Sequence, residues 1–313
     1  MTALIGRDLR DVPESRRSPE GDAMERPVSY FSEGTRVSAV LYLPDGQKSG
    51  ERVPGVVLCH GFTAIKELIL PDYGRRFAAA GIAALAFDYR GFGESDGTRG
   101  RLIWRDQVQD IRNSITFLET VPEIDPGRIG LWGTSYGGAN VIYTAGIEPR
   151  AKCVVAQVGF GDGGRRQREA PPEQTAPMRA IISAERQKRV LTGESTMVDP
   201  FTILSEPDSV AFFAEAMKTH ARLKTEIPLE FIEATQEYVP EEMAPRIAPR
   251  ALLVIAAEND ATTPADEFRS VYEKAGEPKK LVIIEGIRHY EIYGGEPLER
   301  SAREAADWFK RYL

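Results

Sequence analysis

Two apolar patterns alternate along most of this 313-residue chain. The first is a short unbroken apolar run, as in Gly55-Val56-Val57-Leu58-Cys59, Ile82-Ala83-Ala84-Leu85-Ala86-Phe87 and Ala251-Leu252-Leu253-Val254-Ile255-Ala256. Such runs predict strands buried on both faces. Arg128 to Trp132, Ala151 to Val158 and Leu281 to Ile284 read the same way. The second pattern spaces apolar residues three and four apart. It is clearest over 104–120, where Val108, Ile111, Ile115 and Leu118 share one helical face. Further helices are predicted over 71–80, opened by Pro71 and closed by Gly81, and over 136–147, 265–275 and 300–313. Ahead of all these, Val28 to Phe31 and Thr35 to Tyr42 predict a hairpin turning at Ser32-Glu33-Gly34.

Alternation of strand and helix predicts an α/β fold with a mostly parallel central sheet, helices on both faces and right-handed crossovers. Reacting groups in such sheets gather beyond the carboxyl ends of the strands. The alternation stops between residues 162 and 244, a charged stretch with prolines at 171, 172, 177, 200, 207, 228 and 240. That break predicts a mostly helical cap, inserted into a core formed by residues 28–161 and 245–313. Residues 1–27 form an N-terminal extension rich in Arg, Asp, Glu, Ser and Pro, without a sustained period. Such a composition predicts a mobile arm. The alternative is an ordered arm that clasps a second copy in a homodimer.

Charge narrows the partners. The net charge is −7 and the basic residues form no block, which argues against a nucleic-acid partner. No run approaches the roughly 18 apolar residues of a membrane span. Charges recurring from Arg7 to Arg26 leave no apolar centre for a signal peptide. Cys59 and Cys153 both sit in apolar runs, as packing thiols in a reducing compartment do. The expectation is a cytoplasmic protein acting on a small molecule.

The chemistry centres on Gly133-Thr134-Ser135-Tyr136-Gly137, which joins a predicted strand to a predicted helix. In that context G-x-S-x-G holds a serine in a strained turn, its hydroxyl exposed at the top of the sheet. A serine hydroxyl needs a base, and the chain has three histidines: His60, His220 and His289. His289 follows the last core strand and would open onto the same rim as Ser135. His220 lies in a helical pattern of the insertion, and His60 is placed to support its loop. The base needs a carboxylate to fix its tautomer. Asp260, just past the strand ending near Ala257, is the candidate, with Glu258 and Asp162 as rivals. Oxyanion donors would be the backbone N–H groups of Tyr136 and of Phe62, the latter in His60-Gly61-Phe62. Gly159 to Gly164 matches G-x-G-x-x-G, yet Arg165-Arg166-Gln167-Arg168 follows instead of an apolar helix. It therefore reads as a hinge into the insertion, and no nucleotide cofactor is expected. No residue cluster has metal-ligand spacing, so no metal is expected either.

His60-Gly61-Phe62, Asp88-Tyr89-Arg90-Gly91-Phe92-Gly93-Glu94-Ser95, Gly133 to Gly138, Asn259-Asp260 and His289 together resemble the α/β-hydrolase superfamily in kind and order. Within it the chain looks like the dienelactone-hydrolase-like and acyl-esterase-like branch. Gly61-Phe62-Thr63-Ala64-Ile65-Lys66-Glu67 is also similar to fungal polyketide transferases. The resemblance implies Ser135 as nucleophile, Asp260 as acid and His289 as base. Ile287-Arg288 departs from the small residues that relatives usually carry before the histidine, and puts a cation near the mouth.

These observations predict a serine hydrolase of carboxylic esters working through an acyl-enzyme. Acyl transfer, amide cleavage and carbon–carbon bond cleavage are the alternatives that the same residues leave open. Phe160, Phe212, Phe213 and Tyr290 are candidates to line an apolar acyl site, or else to dock the cap.

Overall fold

The computed structural model describes residues 16–17, 23–48 and 50–313. Among these residues nine strands form one sheet: β1 (Arg16–Arg17), β2 (Ala23–Ser32), β3 (Thr35–Pro44), β4 (Val53–Cys59), β5 (Ala83–Phe87), β6 (Ile124–Thr134), β7 (Ala151–Gln157), then β10 (Ala251–Ala257) and β11 (Lys279–Ile284). Their spatial order is β1-β2-β3-β5-β4-β6-β7-β10-β11. From β5 to β11 every neighbouring pair is parallel, while β1, β2 and β3 add on antiparallel. All seven residues of β10 are buried, as its unbroken apolar run requires of a strand covered on both faces.

Helices α1 (Leu70–Ala79), α2 (Trp104–Glu119), α3 (Tyr136–Ile147), α8 (Ala265–Lys274) and α9 (Gly295–Tyr312) cover the sheet. Two apolar layers result. On one side Val108, Ile111, Ile115 and Leu118 of α2 pack with Val57, Leu85 and Leu131. On the other, Tyr73 and Phe77 of α1 pack on Trp132, and Phe309 of α9 packs on Phe77.

The strand β2 begins at Ala23, five residues before the point where its apolar pattern starts, and pairs in register with β3 as far as Pro44. Glu25 is the reason the pattern hides this start: it is buried inside the strand and takes an ion pair from Arg75. Arg16 and Arg17 pair with Glu25 and Met24, so part of the extension is an edge strand and not a mobile arm. The rest of that expectation falls on residues outside those described. At the other end of the chain, α9 begins at Gly295, ahead of the expected start, because its first turn buries Leu298.

Between β7 and β10 the chain makes α4 (Arg165–Glu169), α5 (Pro172–Thr192), α6 (Pro207–Thr219) and α7 (Glu230–Gln236). It also makes a two-stranded ribbon from β8 (Met197–Val198) and β9 (Ile227–Pro228), which the helical reading missed. Phe213 and Leu223 of this insertion pack on Ile65 of the core. Among the described residues, no helix is long and apolar enough to cross a membrane.

Candidate active site

Because β4, β6, β10 and β11 run parallel, the loops leaving their carboxyl ends meet at one edge of the sheet. Ser135 lies between β6 and α3 with φ 56° and ψ −123°. The glycines of the motif make that turn sterically feasible. A Cβ on Gly133 would lie 2.2 Å from Gly137 O, and one on Gly137 would lie 2.2 Å from Cys59 O. Two further residues at this edge hold a positive φ despite a branched Cβ: Thr63 at 49° and Val158 at 38°. Backbone strain of this kind persists where surrounding packing over-determines the chain, often at functional sites.

His289 and Asp260 are both buried. His289 Nδ1 donates to Asp260 Oδ2 at 2.6 Å. The other oxygen, Asp260 Oδ1, accepts from the backbone N–H groups of Thr262 and Thr263, each at 2.8 Å. Those bonds hold the carboxylate in one orientation. The Thr263 hydroxyl donates to Val158 O at 2.8 Å and lies 3.0 Å from Asp260 Oδ2 and 3.2 Å from His289 Nδ1. Thr263 escaped the sequence reading, although it sits three residues after Asp260 in Asp260-Ala261-Thr262-Thr263. No periodicity marks a residue whose role depends on a partner from another strand.

The rival acids go elsewhere. Glu258 is exposed and accepts from Gly286 N at 2.8 Å. Asp162 accepts from Gly164 N at 3.0 Å and pairs with Arg168, at the entrance to the insertion.

His60 is buried beside Tyr89, ring centroids 4.7 Å apart. Its Nδ1–H donates to Gly61 O at 3.0 Å, and its Nε2 accepts from Tyr89 N at 3.4 Å. Burial lowers its pKa to about 4, so the ring is neutral. It braces the loop after β4, as the sequence placed it. A second brace follows in the same loop. The Lys66 ammonium, 3% exposed, donates to Asp88 at 2.8 Å and to Glu94 at 2.9 Å, and Asp88 also accepts from Lys66 N at 2.7 Å. Arg90, in the loop after β5, is held by Asp110 and Glu33, away from any substrate role.

Phe62 and Tyr136 both reach the cavity that forms in front of Ser135. Gly61 brings the first loop close: a Cβ there would stand 2.9 Å from Ser135 Cβ and 3.4 Å from Ser135 Oγ. Tyr136 is the first residue of α3, whose leading N–H groups have no partner within the helix. The cavity is about 200 Å³ and is lined by Ser135 and His289 together with Phe62, Phe160, Phe212, Phe213 and Tyr290. All four aromatic residues singled out from the sequence thus face it. Tyr290 and Phe212 also stack at 4.5 Å, so they join the insertion to the loop of His289 as well. Leu204, Phe231 and Thr235 of the insertion and Tyr293 also line it and were not foreseen. Arg288, the departure noted before His289, turns away from the cavity to Asp208 at the start of α6, with two bonds of 2.8 Å.

The family model described as Serine aminopeptidase, S33 matches residues 51–294. An uncharacterized 31.7 kDa protein of Escherichia coli is 35% identical over 285 residues, covering 90% of this chain and 98% of its own. The quorum-quenching protein AidA of Acinetobacter baumannii is 26% identical over 316 residues, covering 99% of both chains. The polyketide transferase grgF of a Penicillium species is 27% identical over 274 residues, covering 85% of this chain and 90% of its own. The crystal structure of the α/β hydrolase GrgF from Penicillium sp. superposes with a TM-score of 0.77 at 22% identity, over 92% of this chain and 99% of that one. The match runs through every loop that meets in front of Ser135, and the chain belongs to the serine aminopeptidase S33 family of α/β-hydrolase enzymes.

Proposed function

We propose that the protein hydrolyses carboxylic esters of uncharged, largely apolar acyl groups through a Ser135–His289–Asp260 triad. The observation that carries this reading is the strained Ser135 in a shared apolar cavity with His289, whose far nitrogen is anchored 2.6 Å from Asp260. With Nδ1–H committed to Asp260, Nε2 is the lone-pair nitrogen available to a serine proton. Ser135 Oγ attacks the ester carbonyl while His289 takes its proton. The oxyanion forms where the N–H groups of Phe62 and Tyr136 stabilise it. His289 then protonates the departing alcohol, leaving Ser135 acylated. Water, deprotonated by His289, attacks the acyl-enzyme and releases the acid.

The cavity wall supports a neutral substrate. Among its residues there is no Asp or Glu to hold an α-ammonium group, which an aminopeptidase must bind. An apolar cavity of roughly 150 Å³ holds benzene, so this one suits an acyl chain of about six to eight carbons. Acyl transfer is the second reading. It is favoured by the aromatic wall and by relatives named as polyketide transferases.

Turnover of p-nitrophenyl esters of increasing acyl length tests both. Hydrolysis peaking at medium chains and abolished in Ser135→Ala supports the reading. An active Ser135→Ala protein overturns it. Product diverted to an added alcohol or thiol in preference to water would move the assignment to acyl transfer.

A further inference from the structure

The largely apolar wall of the cavity holds a pair of hydroxyls that the proposed hydrolysis does not use. Tyr136 Oη and Thr235 Oγ1 lie 3.0 Å apart and share a hydrogen bond. Tyr136 comes from α3, next to the nucleophile, and Thr235 from α7 of the insertion, and both line the cavity. Phe62, Phe160, Phe213 and Phe231 line the same cavity, and the Phe160 ring lies 5.4 Å from that of Tyr136.

Two hydroxyls carry two protons, and the bond between them uses one. Among the described residues neither hydroxyl has another hydrogen-bond partner, so one donor is left over in apolar surroundings. The partners of the other two tyrosines of the wall stand outside the cavity. Tyr290 donates to Ser209, and Tyr293 is paired with Thr134; neither partner lines the cavity. Thr235 is partly buried; a donor without an acceptor among apolar side chains is costly, and a site built this way selects a ligand that supplies the acceptor.

We propose that the Tyr136–Thr235 pair is a specificity handle that recognises a hydrogen-bond acceptor oxygen, such as a chain ketone, on the acyl group of an otherwise apolar ester. The inference rests on the ester reading above and names its substrate class more narrowly. The acyl group stays in the cavity through both half-reactions, so a contact with it serves acylation and deacylation alike.

The test compares p-nitrophenyl hexanoate with its chain-ketone analogues, one carbonyl being moved along the acyl chain. Wild-type protein is expected to prefer at least one ketone ester about fivefold in kcat/KM, the yield of one neutral hydrogen bond. The preference should disappear in Thr235→Val and in Tyr136→Phe, and return in Thr235→Ser. In parallel, binding of the same esters to Ser135→Ala is measured by calorimetry. Preference in binding without turnover in the wild type would sink the ester reading and leave the handle standing. Turnover with no preference at any ketone position would mean that water serves the spare donor, and would overturn the handle alone. Preference that survives in both Thr235→Val and Tyr136→Phe would overturn it too, as would failure of every ester to bind.

Discussion

Gly61→Ala adds one methyl group at the point where the loop after β4 approaches Ser135, the proposed nucleophile. The new Cβ would stand 2.9 Å from Ser135 Cβ and 3.3 Å from Thr134 O. Carbon atoms rest at about 3.5–4.0 Å, so the loop and Ser135 must part by at least about 0.6 Å. Rotating a side chain cannot relieve this, because the contacts are with Ser135 Cβ, which no χ rotation moves, and with the Thr134 carbonyl. Phe62 N–H moves with it, and a hydrogen bond near 2.9 Å lengthened by that amount is effectively lost. Losing one oxyanion donor costs about 10²–10³ in kcat, or roughly 3–4 kcal/mol of transition-state stabilisation. The effect should fall on kcat with KM nearly unchanged, since the donor acts on charge that develops only in the transition state. Steady-state hydrolysis of a p-nitrophenyl ester measures both, with thermal unfolding run alongside. Gly294→Ala is the control: a Cβ there meets nothing within 4 Å, and its φ of −144° suits any residue. A Gly61→Ala enzyme that keeps more than half of its kcat would refute the placement of the oxyanion donor at Phe62.

Asp260→Asn should lower kcat about 10⁴-fold without unfolding the protein. The N–H groups of Thr262 and Thr263 keep the amide oxygen on their side. The NH₂ group then faces His289 Nδ1, which forces the proton onto the nitrogen meant to accept from Ser135; a loss below tenfold in the ester assay would contradict this. His60, with its pKa depressed to about 4, stays neutral in the folded state while the unfolded chain protonates it near 6.5. The unfolded state therefore binds the extra proton, and stability falls as pH drops from 6.5 towards 4, by about 3 kcal/mol from this group. Urea unfolding at pH 7 and pH 4 should show that His60→Gln lacks this part of the loss; identical pH slopes would rule it out. The Arg288–Asp208 pair is about half exposed on both sides. Arg288→Ala should accordingly cost less than about 1 kcal/mol in urea unfolding, and a loss above 2 kcal/mol would mean the pair does more than an exposed ion pair can.

Much of the core was legible because its signals are local. Continuous apolar runs at 55–59, 82–87 and 251–256 became β4, β5 and β10 within one or two residues. The glycines around Ser135 also announced themselves, since only a turn with no room for side chains needs so many in so few positions. The edge strands were harder. Residues 16–17 and 23–27 carry charges and a proline in place of an apolar run; the second stretch is a strand because β3 offers it an edge, and the first because β2 then offers one in turn. The ribbon of β8 and β9 was hidden for the same reason, as two residues on each side hold no period.

By itself, the sequence determined the alternation of strands and helices, the strained serine turn, and the order in which Ser135, Asp260 and His289 follow along the chain. These depend on residue type and spacing, which short-range sterics and amphipathicity convert directly into local structure. Only the tertiary structure decided that Asp260, not Glu258, faces His289, because the choice turns on which side of a strand end each carboxylate leaves. It alone decided that Arg288 serves the insertion and not the cavity, and that Tyr136 meets Thr235. Those contacts join residues 80 to 99 positions apart, and their geometry is set by how the insertion packs on the sheet. No local pattern carries that information.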